Sequence, residues 1–208
     1  QAANGVLAKD PQNAAAHALL ASVNAGQNKM PEAKAELEKA IQIDPKNAGY
    51  YFQRGLLQAR MQSTADAEQD IKKAIELDPK LTMARITLGQ LYSTQGNHPL
   101  AEQTFKEAIA TDSQSIPPYV ALSRFYLITN RPADAEQVLI NAKKTLADNP
   151  DGYRLLGEYY VASGNLDKAL AEFESLYKEH PKDLNTKKAY LGLLLSRHRT
   201  DEATKLVD

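Results

Sequence analysis

Moved by 34 places against itself, the sequence matches five segments without an insertion: AKAELEKAIQIDPKN (33–47), AEQDIKKAIELDPKL (67–81), AEQTFKEAIATDSQS (101–115), AEQVLINAKKTLADN (135–149) and ALAEFESLYKEHPKD (169–183). A fixed period constrains the fold more than any single motif does. Each copy must make the same contacts, and a short unit hides its apolar side only by stacking on its neighbours. The full units are 14–47, 48–81, 82–115, 116–149 and 150–183, with partial units at 1–13 and 184–208. A single array over 1–208 is expected.

Inside a unit the apolar spacing is helical in two runs. Tyr153, Leu156, Gly157 and Tyr160 lie three or four apart, ASGN intervenes, and Ala169, Leu170, Phe173 and Leu176 resume the pattern. Each unit therefore reads as a helical hairpin. The fifteenth place holds Asn28, Gln62, Gly96, Asn130, Gly164 and His198, mostly types that tolerate the left-handed backbone ending a helix. The last place holds Asn13, Asn47, Leu81, Ser115, Asn149 and Asp183; all but Leu81 are expected to cap the next helix, with Thr82 substituting beside Leu81. Pro150 suits a first helical position.

Two columns of small residues carry the packing. Ala33, Ala67, Ala101, Ala135, Ala169 and Ala203 share one place, and Ala21, Gly55, Gly89, Ser123 and Gly157 share the eighth, so that two helices approach closely. The recurring Ala-Glu-Gln at 67, 101 and 135 follows from that packing. Its Glu and Gln read as solvated helix formers.

A net charge of −1, from 25 basic and 26 acidic residues, supplies no overall field for nucleic acid or a polybasic membrane contact. Without cysteine there are no disulfides, thiolate metal sites or cysteine nucleophiles, and the compartment stays open. No run is apolar enough to span a bilayer. The opening QAANGVLAKDP has neither an initiator Met nor a signal-peptide core and reads as an excised segment whose targeting information lies elsewhere. Repeat style and lack of cysteine give the impression of a bacterial chain of cytoplasm or periplasm.

The repeat resembles the tetratricopeptide repeat, a helix-turn-helix of this period. YRLLGEYY (153–160) matches the aromatic-x2-Leu-Gly-x2-Tyr signature; RITLGQLY (85–92), YVALSRFY (119–126) and YFQRGLLQ (51–58) match it in part. AEQTFKEA (101–108) matches the Ala-x3-Phe-x2-Ala segment. The proline appears at Pro11, Pro45, Pro79 and Pro181, whereas Ser113 and Ala147 depart from it. The resemblance implies an all-α, right-handed superhelical solenoid whose first helices line a concave groove. Both ends are expected to expose core-like faces through which copies could pair.

In this family the second, fifth, ninth and twelfth places face the groove. Carried over, they give an apolar stripe of Phe52, Leu56, Met83, Ile86, Val120 and Leu127, with Gln90, Arg124, Arg154 and Glu158 as polar neighbours. Either the stripe seats a helix or extended peptide of a partner, or tighter curvature buries it against neighbouring units. Arg124, Arg154 and Lys188 could clamp an anion; the plainer reading, which is favoured, pairs Arg154 with Glu158 one turn on and leaves Arg124 solvated. The family's chaperone-tail clamp is not matched, since Ala18, Ser22 and Gln53 stand at its positions.

The four histidines occupy different places and form no HExxH, His17 filling an aromatic's place in its helix; phosphate-loop, dinucleotide and nucleophile-elbow motifs are missing. No catalytic residue, metal or cofactor is expected. The sequence thus reads as a non-catalytic scaffold for a protein or peptide partner. The alternative is an accessory region that positions substrate or partner for a larger enzyme or a polysaccharide export machine.

Overall fold

The computed structural model describes residues 2–207, and no strand occurs among them. The chain forms two compact units, Gln1–Asp112 and Ser113–Asp208. The division falls at the turn where Ser113 replaces the repeat's proline.

The first unit contains α1 (Ala2–Leu7), α2 (Ala14–Gly26), α3 (Met30–Ile43), α4 (Ala48–Arg60), α5 (Thr64–Leu77), α6 (Thr82–Thr94) and α7 (His98–Thr111). Hairpins α2/α3, α4/α5 and α6/α7 are its tightest pairs, and α3 on α4 and α5 on α6 join one hairpin to the next. The second unit contains α8 (Ile116–Ile128), α9 (Pro132–Thr145), α10 (Pro150–Tyr153), α11 (Leu155–Ala162), α12 (Leu166–Glu179), α13 (Leu184–Ser196) and α14 (Thr200–Val207). Here α8/α9, α11/α12 and α13/α14 are the hairpins, with α9 on α11 and α12 on α13 between them. First helices start at the first place of each repeat and complete second helices end at the thirtieth, so the boundaries keep step with the period. The one interruption is Arg154, a turn residue between α10 and α11.

Identical turns explain that constancy. Asn28, Gln62, Gly96, Asn130, Gly164 and His198 have φ of 62°, 62°, 76°, 59°, 73° and 57°, the left-handed region, and no other described residue does. After each, the next N–H bonds the carbonyl five residues back, as in Lys29 to Asn24, Asn97 to Tyr92 and Asn165 to Tyr160, each at 2.9 Å. This is the Schellman arrangement that satisfies the last carbonyls of a helix.

Four of the five expected caps form: Asn13, Asn47, Asn149 and Asp183 accept backbone N–H groups of their helices. Ser115 does not cap α8. The two N–H groups a cap would bind belong to Pro117 and Pro118, which have none. Thr82 lies inside α6 and its hydroxyl turns back to the Lys80 carbonyl, 3.3 Å away, so it is no substitute cap either.

The small-residue columns lie where hairpins close. Ala33, Ala67, Ala101, Ala135 and Ala169 are fully buried. A Cβ added at Gly55 would stand 2.8 Å from Ile71 Cγ1, one at Gly89 2.8 Å from the Phe105 ring, and one at Gly157 2.8 Å from the Phe173 ring. Burying each of these rings contributes about 2–3 kcal/mol, which the missing methyl makes possible. Gly152 repeats the device against Leu146, a contact the small-residue columns do not announce.

Candidate functional site

In the first unit, α2 and α4 flank a cleft of about 330 Å³. Ala33 and Leu37 of α3 form its floor, Ser22 and Ala25 one wall, and Gln53, Leu56, Leu57 and Arg60 the other. Leu57 is buried in the same cluster as Ala33 and Leu37, which ties α4 to the preceding hairpin and fixes the wall. Leu56, one residue earlier, is exposed. Ser22, Gln53 and Arg60 supply the polar groups among an otherwise apolar lining.

Phe52 is half-buried, and Met83 and Gln90 on α6 are exposed. Ile86 is a correction. It is only 4 % exposed, against 49 % for Met83. Lying three residues before Gly89, it shares the stripe that turns toward α7, so its burial serves the core and it cannot anchor a partner.

In the second unit, Val120, Arg124, Leu127 and Glu158 are exposed. Arg154 is the second correction, being buried and already occupied. Its Nη1 donates to Asp183 Oδ2 at 2.7 Å, Nη2 donates to Asp151 Oδ1, and Nε stands 3.7 Å from Glu158 Oε1. The expected Glu158 pair is thus the loosest of three, and the buried guanidinium already has its charge matched by these carboxylates, so it does not serve as a clamp for a foreign anion. Burial alone would lower the Arg154 pKa; the carboxylates of Asp183, Asp151 and Glu158 outweigh it and hold the guanidinium above its usual value.

Asp183 organises this corner. Besides Arg154 it accepts from the Tyr153 hydroxyl at 2.8 Å, the Thr186 hydroxyl at 2.6 Å and the Asn185 N–H at 3.0 Å. Burial pushes its pKa up, but the hydrogen bonds from Thr186, Arg154, Tyr153 and Asn185 dominate and hold it far below the usual carboxylate range. The His180 ring stacks on Tyr153 with centroids 4.0 Å apart.

Sequence reasoning missed a second polar device. Glu68 and Glu136, the glutamates of two Ala-Glu-Gln copies, are not merely solvated. Tyr92 donates to Glu68 at 3.1 Å and Tyr160 to Glu136 at 2.6 Å, and Lys72 and Lys168 complete the two groups at 2.6 and 2.7 Å. Each tyrosine bond joins a second helix to the first helix of the next repeat. The signal was legible: both tyrosines lie 24 residues after their glutamates. His17, which fills an aromatic's place in the repeat, also makes polar contacts, its Nδ1 2.6 Å from Glu36 and Nε2 3.1 Å from the Pro11 carbonyl oxygen.

Sequence models of the tetratricopeptide repeat match residues 25–62, 52–116, 94–159 and 151–183. The chain belongs to the tetratricopeptide repeat family. As a tetratricopeptide repeat protein it is a helical interaction scaffold in the general sense, of a kind that is generally non-catalytic. Among solved structures it is similar to MamA at 20 % identity, covering 72 % of this chain and 87 % of that one with a TM-score of 0.60. A thermophilic TPR protein of Thermus thermophilus is 21 % identical over 88 % of this chain and 99 % of its own, with a TM-score of 0.55. YrrB, a TPR protein with an unusual peptide-binding site, is 16 % identical over 91 % and 97 %, with a TM-score of 0.57. At these identities the likeness is one of fold. No protein of curated function matches the sequence. No helix among the described residues is long and apolar enough to cross a membrane.

Proposed function

We propose that the protein binds a peptide or helix of a partner protein along the exposed face of its first helices. The observation that supports this most is the α2/α4 cleft, with a floor that packing holds in place and an exposed Leu56 on its wall. Anchoring an apolar side chain there would contribute about 1.5–3 kcal/mol. Three such anchors would reach roughly micromolar affinity once ordering costs are subtracted. YrrB, similar in fold, carries a peptide-binding site of its own.

The test compares Leu56→Glu with Gln69→Glu, a change at an exposed position of second helix α5. Quantitative affinity capture from the native host, with folding checked by circular dichroism, should show partners lost from the first variant and retained by the second. Equal retention by both would refute the reading.

A further inference from the structure

The side chain at the fourth place does one job in three of the repeats. Arg85 Nη1 donates to the carbonyl oxygen of Pro79, and the Tyr119 hydroxyl donates to that of Ser113 at 3.0 Å. His17 Nε2 lies 3.1 Å from the carbonyl oxygen of Pro11. Each acceptor stands six residues before its donor, in the turn that leads into the first helix of the repeat. A carbonyl oxygen only accepts, so Nε2 of His17 carries a hydrogen, as the Arg85 and Tyr119 groups do.

The other ring nitrogen faces an acceptor too. Nδ1 stands 2.6 Å from Glu36 Oε2 on α3, and His17 is only 8 % exposed. Burial pushes the Glu36 pKa up, but the hydrogen bonds from Lys39 and His17 outweigh it and hold the carboxyl below its usual value. An ionised carboxylate has no hydrogen to give, so Nδ1 supplies one. Two acceptors at one buried ring call for the imidazolium. The neutral ring has a single N–H and leaves one acceptor facing a lone pair.

The surroundings suit that charge. α1 has no charged residue, and α2 has none besides His17. The turn between them holds Lys9 and Asp10, both exposed, and the Asp10 carboxylate accepts from the Gln12 N–H and the Asn13 side chain at 3.1 and 3.2 Å. On α3, Lys39 opposes a second cation, but it donates to the other oxygen of Glu36, Oε1, at 2.7 Å, and its side chain is 53 % exposed. Glu32, Lys34 and Glu38, the remaining charged residues of α3, do not bond the ring.

We infer that a proton on His17 fastens the turn between α1 and α2 to α3, the doubly protonated ring bridging the Pro11 carbonyl and Glu36, and that rising pH releases one of these bonds and loosens α1. The fastening is complete while the ring is charged and Glu36 ionised, and it is lost on the alkaline side. α1 packs on α2 and buries Ala3, so it is a strap at the start of the array whose hold depends on one proton. Arg85 and Tyr119 hold their own turns with groups that keep their hydrogens through neutral pH, which confines the device to the first turn.

Two measurements on the full chain test it. Nitrogen-15 spectra at pH 6 should show both ring nitrogens of His17 protonated. Hydrogen exchange, corrected for the intrinsic rate, should show the protection of the Ala8, Asp10 and Asn13 amides falling at least about fivefold between pH 6 and pH 8.5. The Leu81 and Ala84 amides, in the turn that Arg85 holds, should keep theirs. His17→Arg supplies a permanent charge and His17→Tyr a donor that does not titrate at neutral pH, so both should abolish the fall. A singly protonated ring at pH 6, no fall in the wild type, or a fall as large at Leu81 or in His17→Arg overturns the inference. Should either variant fail to fold, the ring protonation and the contrast with Leu81 in the wild type decide.

Discussion

The Tyr160 hydroxyl on α11 donates a 2.6 Å hydrogen bond to Glu136 on α9, and Lys168 of α12 reaches the same carboxylate oxygen. In the first unit Tyr92 and Glu68 make the equivalent bond, with Lys72 of the glutamate's own helix α5 supplying the cation. Both glutamates are held below their usual pKa, with the lysine hydrogen bond the largest cause and the tyrosine adding to it. In these two copies a motif whose alanine serves close packing thus also carries a polar link from one hairpin to the next.

Removing one hydroxyl tests that link. Tyr160→Phe should lower stability by about 1.5 kcal/mol, since the bond runs to a charged acceptor. Urea unfolding of the single variants and of Tyr160→Phe/Glu136→Gln should show a coupling well above error. Additive effects would mean the pair is incidental. The 48–81 repeat has Gln58 in place of the tyrosine, and its Oε1 is buried without a described partner. Lys34 stands where the preceding glutamate would be, so Lys34→Glu/Gln58→Tyr should install the link and raise stability by about 1 kcal/mol.

Acid should act through Asp183. Its folded-state pKa lies below the value near 3.9 expected of the unfolded chain, so its stabilisation is complete above that pH and is lost as the pH falls toward the folded value. Asp183→Asn should destabilise by about 3 kcal/mol at neutral pH, because it removes the best partner of buried Arg154. Below about pH 4 the gap from wild type should narrow. A gap that stays constant from pH 7 to pH 2.5 would contradict the assignment.

The close approach at the eighth place predicts that Gly157→Leu costs about 1–3 kcal/mol by driving a side chain into the Phe173 ring. Thermal unfolding measures this. A variant as stable as the parent would show that α11 and α12 do not meet there.

Neighbouring positions on α6 should behave oppositely. Met83→Glu puts a charge on exposed surface and should change stability by less than about 0.5 kcal/mol. Ile86→Ala removes buried volume and should cost about 2–4 kcal/mol. Similar values for the two would undo the separation of surface from core drawn along this helix.

Helix boundaries, turn residues and the small-residue columns were legible because each depends on local chemistry repeated in phase. A Gly at place eight and a Gly or Asn at place fifteen mean the same thing wherever they fall. Groove residues were less so. Place five is buried at Ala18, Ile86 and Arg154 but exposed at Val120 and Lys188, and that difference depends on how closely neighbouring hairpins pack, which no single unit encodes. The Ser115 cap failed for a reason already written in Pro117 and Pro118. Sequence spacing pairs Arg154 with the carboxylate four residues on, whereas Asp183, almost a full repeat away, makes the shorter and more buried contact.

Photo-crosslinking maps the binding face most directly. With p-benzoylphenylalanine in place of Leu56 or Leu127 on the first helices, and of Gln69 or Gln137 on the second, irradiation in the native host should give partner adducts from the first two positions and none from the others. Adducts confined to positions 69 and 137 would place the interaction on second helices and contradict the account.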